Sequence, residues 1–113
     1  MLRTFFSFLL CLPLAAAVHA ASPGATTAHR DGYQVDIHEF RFQPAQLVVP
    51  AGAHVTWTNR DEEPHIVVSA GNGFASSPAL DTGDRYTATF AKPGTYTYFC
   101  SIHPQMVGTI VVK

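Results

Sequence analysis

The sequence predicts an all-β protein, a sandwich or barrel of about seven to eight strands, and three observations predict it. Short runs rich in Val, Ile, Thr, Tyr and Phe recur from Gly32 to the C-terminus. Gly, Pro, Asn and Asp clusters interrupt them every ten residues or so. No stretch has the 3.6-residue apolar period of a helix, and together these features mark a sandwich or barrel.

Taken in order, the first element is a targeting segment. Met1-Leu2-Arg3 gives a short positive start, Phe5 to Val18 is mostly apolar, and Val18-His19-Ala20 fits a small-x-small cleavage site. Residues 1–20 therefore read as a signal peptide cut after Ala20. The apolar run falls short of the roughly 20 residues a membrane span requires, so no span is expected in the mature chain. Cys11 follows Leu10 inside the apolar run and lacks the small-residue setting of a lipid-attachment site. Export places the mature protein in the periplasm.

Residues 21–31 hold Ser22, Pro23, Gly24, Thr26 and Thr27 and little to bury, so they read as a flexible leader. Residues 32–113 form one domain. Its expected strands are Tyr33–Phe42, Gln46–Val49, His54–Asn59, His65–Ser69, Arg85–Phe90, Thr95–Cys100 and Gly108–Val112. Alternation places Val55 and Trp57 on one face, with His54, Thr56 and Thr58 on the other. It also places Tyr96, Tyr98 and Cys100 on a common face. Residues 71–83, with Gly71, Gly73, Pro78 and Gly83, read as a surface loop in which a turn of helix would fit.

Cleavage after Ala20 leaves 93 of the 113 residues, enough for one small domain. It removes one of the seven Lys+Arg and none of the eight Asp+Glu, so the net charge becomes −2. With no basic stripe and no basic amphipathic helix, nucleic acid and membrane surfaces are not expected partners. A monomer is expected.

The chemistry concentrates in Cys100-Ser101-Ile102-His103-Pro104-Gln105-Met106. Once residues 1–20 are gone, Cys100 is the one cysteine and Met106 the one methionine, which excludes an internal disulfide. Each residue alone has a plainer reading: a buried thiol, a surface histidine, a gap-filling thioether. A thiolate, an imidazole and a thioether on one short loop point instead to copper, because Met is a poor zinc ligand and no Cys/His quartet is present. A blue-copper arrangement needs a second histidine. His29 lies in the leader, His38 beside Glu39 in a strand, and His54 on a polar face. His65, delivered by Glu62-Glu63-Pro64 to the mouth of a strand, is the choice. The acidic run Asp61-Glu62-Glu63 reads as a solvated turn, with steering of a basic partner as the competing role.

The runs Phe40-x-Phe42-x-Pro44-x-x-Leu47-x-Val49-x-x-Gly52, Val55-x-Trp57-x-Asn59-x-Asp61, Pro64-His65 and Gly94-x-Tyr96-x-Tyr98-x-Cys100 resemble the cupredoxin family over nearly all of residues 32–113. The C-x2-H-x2-M loop is most similar to that of the amicyanins, with plastocyanins and pseudoazurins as relatives. The resemblance implies a Greek-key β-sandwich with one type 1 copper ion held by His65, Cys100, His103 and Met106. It also implies one-electron transfer between redox proteins, with His103 as the exit route. Transient docking of a redox donor and acceptor is expected on the apolar surface around His103, Ile102 and Pro104, with the Phe74–Leu80 loop as a further contact. With no further histidine-rich motif and no acid/base pair in view, an enzyme is not expected. Asn59, Ile66 and Ile102 stand next to the ligands. Two positions depart from the amicyanin pattern. Ile66 replaces an asparagine whose side chain ties the ligand loops, and Ile102 replaces a proline. Ile102 therefore has an N–H that would donate to the sulfur and raise the potential. The competing function is copper homeostasis, meaning sequestration or delivery without a redox partner.

Overall fold

The computed structural model describes residues 31–113. The expected signal peptide, residues 21–30 and His29 lie outside them. Eight strands form: β1 (Asp31–His38), β2 (Arg41–Gln43), β3 (Gln46–Val49), β4 (Ala53–Asn59), β5 (Val67–Ser69), β6 (Arg85–Phe90), β7 (Gly94–Cys100) and β8 (Val107–Val112). One sheet has the order β2-β1-β4-β6 and the other β3-β8-β7-β5. Only β1–β2 and β7–β8 connect neighbours within a sheet, and every other connection crosses between sheets. The pairs β1–β4 and β3–β8 are parallel. The all-β sandwich expected from the periodicity is the fold that forms.

Alternation builds the core. Val35 and Ile37 of β1, Val55 and Trp57 of β4, and Ile110 and Val112 of β8 turn inward, while their neighbours stay at least partly exposed up to Trp57. Trp57 is fully buried and meets Tyr98 edge-on at 5.3 Å, with Phe74 stacked on it at 5.6 Å. Burying each such ring contributes about 2–3 kcal/mol. Tyr98 pairs across the β7–β8 ladder with Gly108, and that glycine is a packing requirement. A Cβ there would lie 2.3 Å from the Tyr98 hydroxyl.

Two expectations are corrected. The strand expected over Tyr33–Phe42 is two strands, because Glu39 and Phe40 both adopt left-handed φ values, 52° and 56°. They form the two-residue connection between paired His38 and Arg41, the geometry that lets a hairpin keep its twist. The strand expected from His65 begins at Val67 instead, and His65 forms an isolated bridge with Leu80. Residues 71–83 contain no helix. Their second half runs back along the other sheet, with Ser77 N–H donating to Val67 O at 2.9 Å and Leu80 N–H to His65 O at 2.8 Å.

Candidate metal centre

Three elements converge at one end of the sandwich. β7 ends on Cys100, whose side chain is fully buried behind Tyr98. The six-residue loop after it, 101–106, is closed by two backbone bonds. Cys100 N–H donates to Met106 O at 3.1 Å, and Met106 N–H donates to His103 O at 2.9 Å. This closure brings His103 back over the sulfur and leaves Met106 almost fully buried. The Leu80 bridge holds His65 from the opposite side, with N–H to carbonyl bonds in both directions.

The result is a compact donor cluster. Cys100 Sγ lies 3.7 Å from Nδ1 of His65 and 3.7 Å from Nδ1 of His103, and the two Nδ1 atoms are 3.2 Å apart. The point equidistant from the corners of that triangle lies about 2.1 Å from each, close to metal–nitrogen bonding distance and slightly inside metal–thiolate distance. The residues therefore fit a metal ion in a trigonal His2Cys plane. Two imidazoles, a thiolate and a nearby thioether are the donor types that select copper.

The surroundings orient these donors. Ile66 N–H donates to Cys100 Sγ at 3.4 Å. Ile102, expected to supply a second N–H, makes no such bond, so Ile66 is the sulfur's backbone donor among the described residues. The loop turns outward at Ser101-Ile102, leaving the Ile102 side chain 48% exposed. Asn59 is fully buried; its amide donates to Glu63 O and Leu80 O, both at 2.8 Å, and its oxygen accepts from Asp61 N–H at 2.9 Å. It thus fastens the segment that delivers His65. Ile66 has no side-chain group for an inter-loop tie, and Asn59 holds that segment from within.

Asp61 corrects the reading of residues 61–63 as a solvated turn. Glu62 and Glu63 are exposed, but Asp61 is buried. Its carboxylate accepts from Glu39 N–H at 2.7 Å and Phe40 N–H at 3.0 Å, and it meets His65 Nε2 at 2.9 Å. With Nε2–H donating to the carboxylate, the Nδ1 lone pair of His65 is directed at the cluster. Burial pushes the Asp61 carboxyl up. The bonds from Phe40, His65 and Glu39 outweigh it and hold the group below the ordinary carboxylate range.

Phe40 was also missed. Its ring stands edge-on to His65 at 5.4 Å and to His103 at 5.0 Å, with 39% of the residue exposed. Alternation with Phe42 hid it by making the two look like one face of a strand. At the ends of the expected docking loop Leu80 is core and Phe74 stacks on Trp57, while Ala75, Ser76, Pro78 and Ala79 between them are exposed. Around His103, which is half-buried, the exposed residues include Phe40, Ile102 and Pro104, with the polar Ser101 and Gln105 on the same loop. His54 is bonded to Thr89 on the outer face, and His38 lies 3.6 Å from Asp61 Oδ1 and is not among the clustered donors.

A two-sheet β fold with a buried thiol and two converging imidazoles at one end defines a class. The family model for the cupredoxin-like domain matches residues 7–112, and the chain belongs to that family. Amicyanin-alpha of Methylorubrum extorquens is 34% identical over 115 residues, covering 95% of this chain and 97% of that protein. Amicyanin of Paracoccus denitrificans is 34% identical, covering 87% and 79%. Among solved structures, a purple cupredoxin from Nitrosopumilus maritimus aligns with a TM-score of 0.67 and 37% identity, over 73% of this chain and all of that one. A reduced Cu(I) form of an amicyanin variant aligns at 0.69 with 32% identity, over 73% and 82%.

Proposed function

We propose that this protein is a periplasmic carrier of single electrons between redox proteins, with one type 1 copper ion held by His65, Cys100, His103 and Met106. The observation that carries the reading is the triangle of two Nδ1 atoms and one sulfur, sized for a metal at its centre. Copper held there would supply a one-electron Cu(II)/Cu(I) couple. His65 and His103 would present neutral Nδ1 atoms and Cys100 a thiolate, with Met106 offering a thioether as a further soft donor. A scaffold that fixes these side chains in advance keeps reorganisation between the two oxidation states small. His103, half-buried and framed by exposed Phe40, Ile102 and Pro104, is the exit towards a partner. A small apolar patch suits quick docking and release.

The homeostasis reading predicts a site that yields its metal easily. The buried Asn59 and Asp61 bonds that fix the His65 segment favour the carrier instead. The discriminating experiment loads the full chain with copper and follows voltammetry and electron self-exchange beside transfer to a chelator. Reversible one-electron cycling with fast self-exchange and slow copper loss is the expected result. Slow exchange with ready loss to a modest chelator would overturn the carrier role.

A further inference from the structure

The connection between β1 and β2 holds two consecutive left-handed residues, neither of them glycine. Left-handed backbone is unfavourable for residues with a Cβ, and a hairpin of this length ordinarily uses Asn-Gly or Gly-Gly. Such strain persists where surrounding contacts over-determine it. Here the contacts come from one side chain twenty-odd residues away. Asp61 Oδ1 accepts the N–H of Glu39, while Oδ2 accepts that of Phe40 and also lies 2.9 Å from His65 Nε2. The same turn swings the Phe40 ring out of the strand and over His65 and His103, edge-on to both.

We propose that Asp61 is a positioning residue that uses one carboxylate to set the His65 ring and to lock the turn carrying Phe40, so that the metal-holding cluster and its aromatic cover form one unit. The inference rests on the copper reading of the site and goes beyond it by assigning retention of the metal to Asp61 and Phe40. Three N–H groups converge on the two carboxylate oxygens. An amide at that position must turn its NH2 towards at least one of them, so asparagine replaces the carboxylate poorly. Without the lock, the turn relaxes, Phe40 leaves the histidine edges, and His65 loses the partner that fixes its tautomer and orientation.

The test uses the full chain and four variants: Asp61→Ala, Asp61→Asn, Phe40→Ala and the Asp61→Ala/Phe40→Ala double. In the copper-loaded protein, the rate of copper transfer to bicinchoninate and the visible spectrum are recorded. In the metal-free protein, amide hydrogen exchange at residues 39 and 40 is recorded. Asp61→Ala is expected to lose copper on the order of 10-fold faster or more, with a shifted absorption band and faster exchange at both amides. Asp61→Asn should show the same signs more weakly, and it reads the proposal if the alanine variant does not fold. Phe40→Ala should speed copper loss while the Glu39 amide stays protected. The double variant should lose copper no faster than Asp61→Ala, because cover and lock are one device. Wild-type retention in Asp61→Asn, or effects that multiply in the double variant, would overturn the proposal. Failure of the copper reading is separately visible as a wild-type chain with no thiolate band, and the metal-free exchange still decides whether Asp61 locks the turn.

Discussion

Asp61, Glu62 and Glu63 are adjacent acids with different surroundings, and only the first is buried against backbone donors and the His65 ring. Nothing in the run distinguishes it, because its partners Glu39 and Phe40 lie more than twenty residues away in sequence. The ligand candidates were legible for the opposite reason. Cys100, His103 and Met106 share one short loop, and a rare combination of side chains survives without knowledge of the fold. Ile102 marks the limit of residue-level reading. Having an N–H where a proline is expected does not aim it at the sulfur, and no such bond forms. Ile102→Pro therefore removes no hydrogen bond from the thiolate and is expected to leave the reduction potential unchanged. A lowered potential, measured by voltammetry, would show that this N–H reaches the sulfur in the loaded protein.

Strands with alternating burial were readable from pattern alone, down to Tyr98 and Cys100 sharing the inward face of β7. Element ends were not. The β1–β2 break depends on a distant carboxylate, and the late start of β5 depends on a backbone bridge to Leu80. Between β7 and β8 the Tyr98–Gly108 pair gives a sharp prediction. Gly108→Ala would put a methyl group within 2.3 Å of the phenol of the fully buried Tyr98, so ring or backbone must shift. Urea unfolding should show a loss of about 1–3 kcal/mol, as for overpacking elsewhere. Tyr98→Phe should behave otherwise. The Tyr98 hydroxyl and the Trp57 indole N–H are both buried without a hydrogen-bond partner among the described residues. Deleting the hydroxyl gives up no bond, so stability is expected to stay within about 1 kcal/mol.

At the scale of the molecule, a small domain with an aromatic core and a soft-metal site should respond to alkali and to copper. Burial pushes the Tyr98 phenol up to about 12 from its ordinary 10.0. The folded value lies above the unfolded one, so this contribution is fully present below about pH 10 and fades as pH rises towards 12. The metal-free chain should lose about 2–3 kcal/mol across that window, and Tyr98→Phe should flatten the loss. Copper binding to the folded chain adds stability by mass action, raising the melting temperature of the wild type. The fold class was legible in strand spacing. The way its loops lock one another was not, since those contacts join segments that only the folded chain brings together.

The most direct test of the central claim is a titration of Cu(II) into the full chain, followed by visible absorption beside the Cys100→Ser variant. Coordination by His65, Cys100 and His103 predicts an intense thiolate-to-copper band that saturates at about one equivalent and is absent from the variant. A wild type that takes up Cu(II) without that band, or a serine variant that keeps it, would contradict the account.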